Sequence, residues 1–204
     1  LNLSLTVIVS SFALQVQISQ AASLPVFVAE DVFEMEYAND PQVSPDGARV
    51  AYVRTSMDIM TDQAKRTIWV VDSNGDNHRP LVSGSGNFSS PRWSPSGDRL
   101  AYLSNRDGKT QLFVQWLDGG ETAKVTALPQ SPRSIVWSPD GKYIAFTRFV
   151  PKASPTLAEM PAKPKGASWA EPATVIDRMT FRRDGGGYLP TGNNQVFVVP
   201  ADGG

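Results

Sequence analysis

The chain has 204 residues, with 20 acidic and 19 basic side chains, one histidine and no cysteine. A formal net charge of −1 argues against a nucleic-acid-binding protein, because such proteins usually present a basic face. Without cysteine there is no zinc ribbon, iron–sulfur cluster, disulfide framework or cysteine nucleophile. A single histidine, His78, excludes paired-histidine metal sites and leaves one candidate base for a Ser-His-Asp triad. Composition alone therefore disfavours a self-contained hydrolase or metalloenzyme.

The first 29 residues carry no charge, and residues 3–14 form a mostly apolar run. The run is followed by Ser19-Gln20-Ala21, which fits the small-x-small pattern of signal peptidase sites. We interpret residues 1–21 as a secretory signal peptide and residues 22–39 as a lead-in, and we expect export, most simply to a periplasm. An N-terminal transmembrane anchor is the alternative, but the run is shorter than the roughly 20 residues of a span, so no stable membrane span is predicted.

Three segments of the remaining chain share one pattern at offsets of 50 and 44 residues. Each has a large residue, a Ser-Pro-x-Gly turn and a strand in which alanine separates large apolar residues: Val43–Val53, Trp93–Leu103 and Trp137–Thr147. Proline presets φ in such a turn and glycine accepts a positive φ, so each turn should join two antiparallel strands. A repeat of this length indicates the blade of a β-propeller.

A second hairpin follows in each unit. The strands Thr67–Asp72, Gln111–Trp116 and Gln195–Val199 each lead into an Asn-Gly or Asp-Gly turn, which is a strong hairpin signal. The sequence therefore predicts an all-β fold: an incomplete β-propeller with WD-like or TolB-like repeats and about three four-stranded blades. We place the propeller at residues 40–204, with blades at about 40–83, 88–127 and 133–204.

The third blade is interrupted by an insertion, residues 150–194. Its first half, 151–172, is rich in proline and should be irregular, whereas 174–189 should contain a strand pair around Arg182–Tyr188. Long insertions in compact domains are often functional, so we expect this one over an opening or at an interface. Three blades cannot close a ring, since propellers have about four to eight, and we therefore expect a piece of a longer protein.

Candidate chemistry in the turns is weak. His78 lies in a predicted hairpin loop, and we interpret it as a solvated residue rather than a general base. Asp72, Asn74 and Asp76 have calcium-loop spacing, but position six is not glycine and position twelve is not glutamate, which favours a plain turn. Ser168 lies in a Gly-Ala-Ser-Trp-Ala run that resembles a nucleophile elbow but lacks the flanking strand and helix.

The remaining candidates also have a structural interpretation. Residues 84–86, Gly-Ser-Gly, have no following helix that would complete a phosphate site. Four arginines around the insertion could hold a peptide carboxylate, although a solvated strand face is favoured: Arg148, Arg178, Arg182 and Arg183. Four aromatic residues at repeat positions fit packing better than a sugar platform: Tyr52, Trp93, Tyr102 and Trp137. We assign no catalytic, cofactor-binding or metal-binding residue and expect no cofactor.

The repeat, best seen at residues 137–147, resembles the propellers of two groups. One is the prolyl oligopeptidase family of serine peptidases, in particular its acylaminoacyl-peptidase and dipeptidyl-peptidase branches, and the other is the periplasmic TolB-type propeller. The interrupted third blade, with residues 176–185, 187–189 and 195–200, is similar to the peptidase propellers, whereas TolB blades are more regular.

The peptidase resemblance implies an exported enzyme whose propeller caps a C-terminal α/β-hydrolase domain with a Ser-Asp-His triad. This segment would then be the part without the active site, and would admit short peptides while excluding folded proteins. Its expected partners are that hydrolase domain and peptide substrates, not nucleic acid. The alternative is a TolB-like periplasmic propeller that binds protein partners without catalysis.

Overall fold

The computed structural model describes residues 26–159, 161–170 and 173–203, so the predicted signal peptide, residues 1–21, lies outside the described part of the chain. The first described element is a short 3-10 helix, Ala29–Glu34. An antiparallel sheet, blade one, follows and begins at Glu36, inside the segment that we assigned to the lead-in. Its four strands lie side by side in the order in which they occur in the chain: β1 (Glu36–Val43), β2 (Arg49–Asp58), β3 (Gln63–Asp72) and β4 (Arg79–Val82).

Blade two repeats this arrangement in a second four-stranded antiparallel sheet. Its strands are again neighbours in chain order: β5 (Phe88–Trp93), β6 (Arg99–Ser104), β7 (Gln111–Trp116) and β8 (Thr122–Lys124).

Blade three contains the interruption predicted from the sequence. Its first two strands form a hairpin, a long excursion follows, and the chain then returns to pair with the second strand. The described elements in chain order are β9 (Arg133–Trp137), β10 (Tyr143–Pro151), the small hairpin β11 (Arg182–Arg183) and β12 (Gly187–Tyr188), and β13 (Gly192–Pro200). The order across the sheet is β13-β10-β9, so the described part of this blade has three strands. The predicted all-β architecture of repeated antiparallel sheets is confirmed.

One serine organises each tight turn between the first two strands of a blade. In blade one, the Ser44 hydroxyl donates to Asp46 at 2.5 Å and accepts the Arg49 amide at 2.9 Å. Blade two has serine where blade one has this aspartate, but Asp98 compensates, because the Ser94 hydroxyl donates to it at 2.8 Å. The turn therefore keeps a serine–carboxylate hydrogen bond although the carboxylate has changed its place in the sequence.

The core lies between successive blades. Side chains alternate along β2, so that Ala51 and Val53 face blade two while Tyr52 lies on the opposite face. The small alanine lets the blades approach closely. A second core of the same kind joins blades two and three, and its buried members are Ala101, Leu103, Leu112, Val114, Val125, Ile135, Trp137, Ile144, Phe146 and Ala201.

A joint of one arginine and one tryptophan links blade one to blade two. The Arg49 guanidinium donates to the Gly97 carbonyl oxygen at 3.2 Å and lies 5.0 Å from the Trp93 ring centroid. In the other direction, the Trp93 indole N–H donates to the Gln42 carbonyl oxygen at 2.9 Å. Cation–π attraction and two hydrogen bonds therefore fix the relative position of the two blades.

The same joint recurs between blades two and three. Arg99 donates to the Gly141 carbonyl oxygen at 2.9 Å and lies 5.0 Å from the Trp137 ring centroid. The Trp137 indole N–H donates to the Arg92 carbonyl oxygen at 2.9 Å. Recurrence of the joint shows that it belongs to the blade repeat.

The three sheets converge on their first strands, because β1 contacts β5 and β5 contacts β9. Each of these strands has a bulge with a left-handed residue at the same repeat position: Asp40 (φ 48°), Ser90 (φ 55°) and Ser134 (φ 52°). Arg92 on β5 pairs with Asp40 on β1 at 3.0 Å. The inner strands therefore present polar side chains beside the apolar cores.

Candidate functional site

The excursion of blade three, residues 152–191, leaves the sheet through a narrow neck. The β10–β13 ladder runs to the pair Pro151 and Gly192, and the Lys152 amide then donates to the Thr191 carbonyl oxygen at 2.9 Å. Gly192 has φ 149°, and a Cβ atom there would meet the Val150 carbonyl oxygen. The return point of the excursion therefore requires glycine, because any side chain would collide with the neighbouring backbone.

A groove lies inside the excursion, with a volume of about 400 Å³. One wall is the β11–β12 hairpin, in which the rings of Phe181 and Tyr188 stack with centroids 6.1 Å apart. The Leu189 amide donates to the Phe181 carbonyl oxygen at 2.8 Å and extends this hairpin. The opposite wall is formed by the extended segments 154–156 and 173–177, which include Ile176. The groove is thus lined by both apolar and polar groups, and the strand pair predicted around Arg182–Tyr188 is present.

Two adjacent charged residues, Asp177 and Arg178, also line the groove. The Arg178 Nη2 atom donates to the carbonyl oxygens of Leu189 at 3.0 Å and Pro190 at 3.1 Å, so this side chain fastens the hairpin to the opposite wall. The Asp177 carboxylate makes no hydrogen bond or ion pair with the described residues. The arginine was among the candidates from the sequence, whereas the aspartate and the aromatic wall were not. The aromatic residues on both sides of the Asp-Gly-Gly-Gly turn could have indicated the aromatic wall.

The other arginines of the predicted cluster have separate roles. The Arg148 guanidinium stacks on the Phe197 ring at 4.3 Å within blade three, and its Nε atom is buried without a partner among the described residues. Arg182 and Arg183 are exposed on β11. Only Arg178 of the four lines the groove.

In the described part of the chain, the acidic groups with perturbed pKa values are the carboxylates of the blade turns. Hydrogen bonds hold the pKa of Asp46, Asp98 and Asp140 below the usual aspartate range, and the largest contribution comes from a turn serine in each case. The Asp46 carboxylate also accepts the Ala48 amide at 3.0 Å. These shifts support turn geometry and do not mark a catalytic acid.

Tyr102 is fully buried between blades one and two. Its hydroxyl has no hydrogen-bond partner among the described residues. Burial raises the pKa of this hydroxyl, with smaller opposing effects of Thr122 and Arg106. Because Phe146 occupies the equivalent position in blade three, this ring is a packing group.

His78 packs on the outer face of blade one. Its Nε2 atom is 2.5 Å from the Tyr52 hydroxyl, and its ring lies 4.9 Å from that of Trp69. Both contacts are with aromatic side chains, so the arrangement has neither a serine nucleophile nor an orienting carboxylate at hydrogen-bond distance among the described residues. The interpretation of His78 as a non-catalytic loop residue is consistent with this geometry.

The residues that resembled a calcium loop are bound to one another. The Asn77 amide donates to Asp72 at 2.5 Å, and the Asn74 amide donates to Asp76 at 2.8 Å. Within the described ranges, no group of three acidic or histidine side chains is arranged to hold a metal ion. These contacts are those of a hydrogen-bonded turn.

The two glycine-containing motifs are structural. Ser168 lies in a segment without regular secondary structure, just after a turn in which the Ala167 amide donates to the Pro164 carbonyl oxygen. Because a nucleophile elbow needs a strand before the serine and a helix after it, no such elbow forms here. Gly86 has φ 86°, and a Cβ atom there would lie 2.7 Å from the Arg106 Cα atom. This glycine therefore permits close backbone packing rather than phosphate binding.

Repeated antiparallel sheets that converge on their first strands and share inter-blade joints define a β-propeller domain. The chain belongs to the TolB beta propeller domain family, whose model matches residues 24–166. In the part of the chain that the structure describes, no helix is both long and apolar enough to span a membrane.

The chain is also similar to longer proteins. It is 31% identical over 180 residues to the uncharacterized peptidase YuxL of Bacillus subtilis, covering 88% of this chain and 27% of that protein. Dipeptidyl-peptidase 5 of Porphyromonas endodontalis is 30% identical, covering 63% of this chain and 18% of that protein. The Tol-Pal system protein TolB of Alkalilimnicola ehrlichii is 33% identical, covering 52% of this chain and 23% of that protein. The chain thus spans about a quarter of these relatives or less.

The fold is similar to that of an acylaminoacyl peptidase from Pyrococcus horikoshii, with a TM-score of 0.62 and 19% identity. The match covers 83% of this chain and 24% of the peptidase chain. At this identity the likeness shows the propeller fold alone.

Proposed function

We propose that this chain is the propeller part of an exported serine peptidase of the prolyl oligopeptidase type. In this proposal residues 1–21 are a signal peptide, 22–39 a lead-in and 40–204 part of the propeller. An α/β-hydrolase domain elsewhere in the protein hydrolyses short peptides, of dipeptidyl or acylaminoacyl type. The propeller contributes the filter.

The extent of the similarity to the Bacillus peptidase carries this proposal. Because the alignment extends over 180 residues, 88% of this chain, it has to include part of the excursion, residues 152–191. The match to TolB covers only 52% of the chain. The excursion also contains the groove, whose lining combines apolar side chains with polar groups, and such a concave surface supports peptide binding by the part of blade three that interrupts the repeat.

The convergence of the first strands supports the proposed filter. A β-propeller surrounds a central channel, and in the proposed ring strands β1, β5 and β9, of which β5 contacts both others, would face that channel. An extended peptide can pass through such a channel, whereas a folded domain is too wide for it. The hydrolase domain would supply nucleophile, base and acid, and we assign none of these to the residues described.

The test uses the full-length protein that carries this chain. We expect it to cleave chromogenic dipeptidyl or N-acylaminoacyl amides and to lose this activity after treatment with a serine-directed reagent. A substitution of the serine in a G-x-S-x-G motif outside this chain is the control. Peptides should be cleaved when free, but not when the same sequence lies in a folded protein. Absence of such a motif, or of all peptide hydrolysis, would contradict the proposal.

A second candidate is a TolB-like propeller that binds protein partners without catalysis. It is favoured by the family match to the TolB propeller and by the similarity to TolB itself. This candidate predicts further regular blades, no hydrolase domain and no hydrolysis in the same assays.

A further inference from the structure

We propose that the groove of the excursion binds an apolar side chain of a peptide, and that Asp177 makes this site reject acidic neighbours of that side chain. The inference rests on the proposed function for the identity of the ligand as a peptide. It adds a recognition site and a specificity-determining residue within the propeller. The occupant is the substrate peptide in an extended conformation.

Three exposed apolar residues of the groove lining favour an apolar side chain of the ligand. Phe181 and Tyr188 present stacked rings that are 36% and 60% exposed, and Ile176 on the opposite wall is 50% exposed. Aromatic rings that remain half exposed in a concave site gain stability when a ligand covers them. A volume of about 400 Å³ holds one large side chain together with adjoining backbone.

The groove is held in shape before a ligand arrives. Arg178 uses one guanidinium nitrogen to bind the carbonyl oxygens of Leu189 and Pro190. The ladder of blade three closes the neck, and the Ser154 and Thr191 hydroxyls lie 3.3 Å apart just above it. A preformed site loses less conformational entropy on binding than a loop that must fold around its ligand.

The charge of the groove comes from Asp177. Arg178 turns its Nη2 atom towards backbone carbonyls, whereas the Asp177 carboxylate has no partner among the described residues. An unpaired carboxylate in the groove lining attracts N–H donors and cationic side chains, and repels a carboxylate. The complementary ligand is therefore an extended peptide that is apolar at one residue and neutral or cationic at the next.

The test measures peptide binding by the full-length protein after a serine-directed reagent has blocked hydrolysis. The probes are acetylated, amidated tripeptides with a central phenylalanine, preceded by lysine, alanine or glutamate, and one with a central serine. Calorimetry should give affinities in the order lysine, alanine, glutamate, with the central-serine peptide weakest. Tyr188→Ala should weaken binding of the phenylalanine peptides by about ten-fold, because a stacked aromatic wall is lost.

The decisive variant is Asp177→Asn, which should improve binding of the glutamate peptide by about five-fold, as expected for an exposed charge pair. A merely structural role would not produce such a gain. Asp184→Asn and Met179→Ala are controls in the same excursion that do not line the groove, and they should change nothing. Near-UV circular dichroism checks folding, and Tyr188→Phe should retain binding.

The inference is overturned if the glutamate peptide binds best or if no peptide binds. It is also overturned if the control variants improve binding of the glutamate peptide as much as Asp177→Asn does. These outcomes are distinct from failure of the proposed function. If the unblocked protein hydrolyses no peptide but still shows the predicted order of affinities, the peptidase proposal fails and the peptide site stands. If hydrolysis occurs while Asp177→Asn and Tyr188→Ala leave binding unchanged, the site fails and the peptidase stands.

Discussion

The joint between blades two and three can be tested by replacing Arg99 with alanine. The Arg99 side chain is only 16% exposed and donates to the Gly141 carbonyl oxygen at 2.9 Å. A hydrogen bond from a charged donor contributes about 1.5–3 kcal/mol, and a partly buried cation–π contact with Trp137 adds about 0.5–2 kcal/mol. The ion pair with Asp202 is counted as about zero, because that carboxylate is 82% exposed. We therefore expect Arg99→Ala to lower the free energy of unfolding by about 2–5 kcal/mol.

The assay is urea unfolding followed by far-UV circular dichroism, which avoids dependence on Trp137 as the reporter. Arg133→Ala is the matched control, since Arg133 is an exposed arginine on β9 of blade three, and its effect should stay within about 0.5 kcal/mol. Arg99→Lys should recover only part of the loss, because an ammonium lacks the planar fork that stacks on indole. A loss for Arg99→Ala as small as that of the control would refute the joint as a source of stability.

Three further predictions concern single positions. Tyr102→Phe should leave the free energy of unfolding in urea unchanged or raise it by about 1 kcal/mol, because the buried hydroxyl has no described hydrogen-bond partner. Blade three already has a phenylalanine, Phe146, at the equivalent position. A loss above about 1 kcal/mol would reveal a hydrogen-bond partner of the hydroxyl. Gly192→Ala should increase protease cleavage within residues 152–191, because its Cβ atom would displace the Val150 carbonyl; unchanged cleavage would contradict the tight neck. Asp140 has a lowered pKa, so its stabilisation is present at neutral pH and is lost as the pH falls through the ordinary aspartate range towards the folded value. Asp140→Asn should therefore lower the melting temperature at pH 7, and the difference in melting temperature from the wild type should shrink below about pH 4. A difference that stays constant with pH would contradict this assignment.

The blades were predictable from the sequence because their determinants are local. A Ser-Pro-x-Gly turn followed by alternating apolar residues specifies a hairpin within about a dozen residues, and the repeat made the pattern visible three times. The joints were not predictable in the same way. Arg49 and Trp93 can both be recognised at repeat positions of the sequence, but they lie 44 positions apart. Their contact exists only because two blades stack in a particular register.

The groove was partly predictable. The excursion and its strand pair followed from proline content and a glycine-rich turn, yet the stacking of Phe181 on Tyr188 depends on how the hairpin closes. The distinction between Asp177 and Arg178 could not be drawn from residue types. Arg178 was singled out for its charge, but the structure uses it to bind backbone carbonyls, which leaves the aspartate as the unpaired charge.

The three blades differ at the joint positions. Blade one supplies an arginine to the next blade but has Val43 where blades two and three have tryptophan, and this valine is 63% exposed. Blade three supplies the tryptophan but has Tyr143 at the arginine position, 46% exposed. Arginine and tryptophan thus occur together at both of the blade-to-blade contacts that the structure describes, which supports the joint as the feature that these two residue types serve.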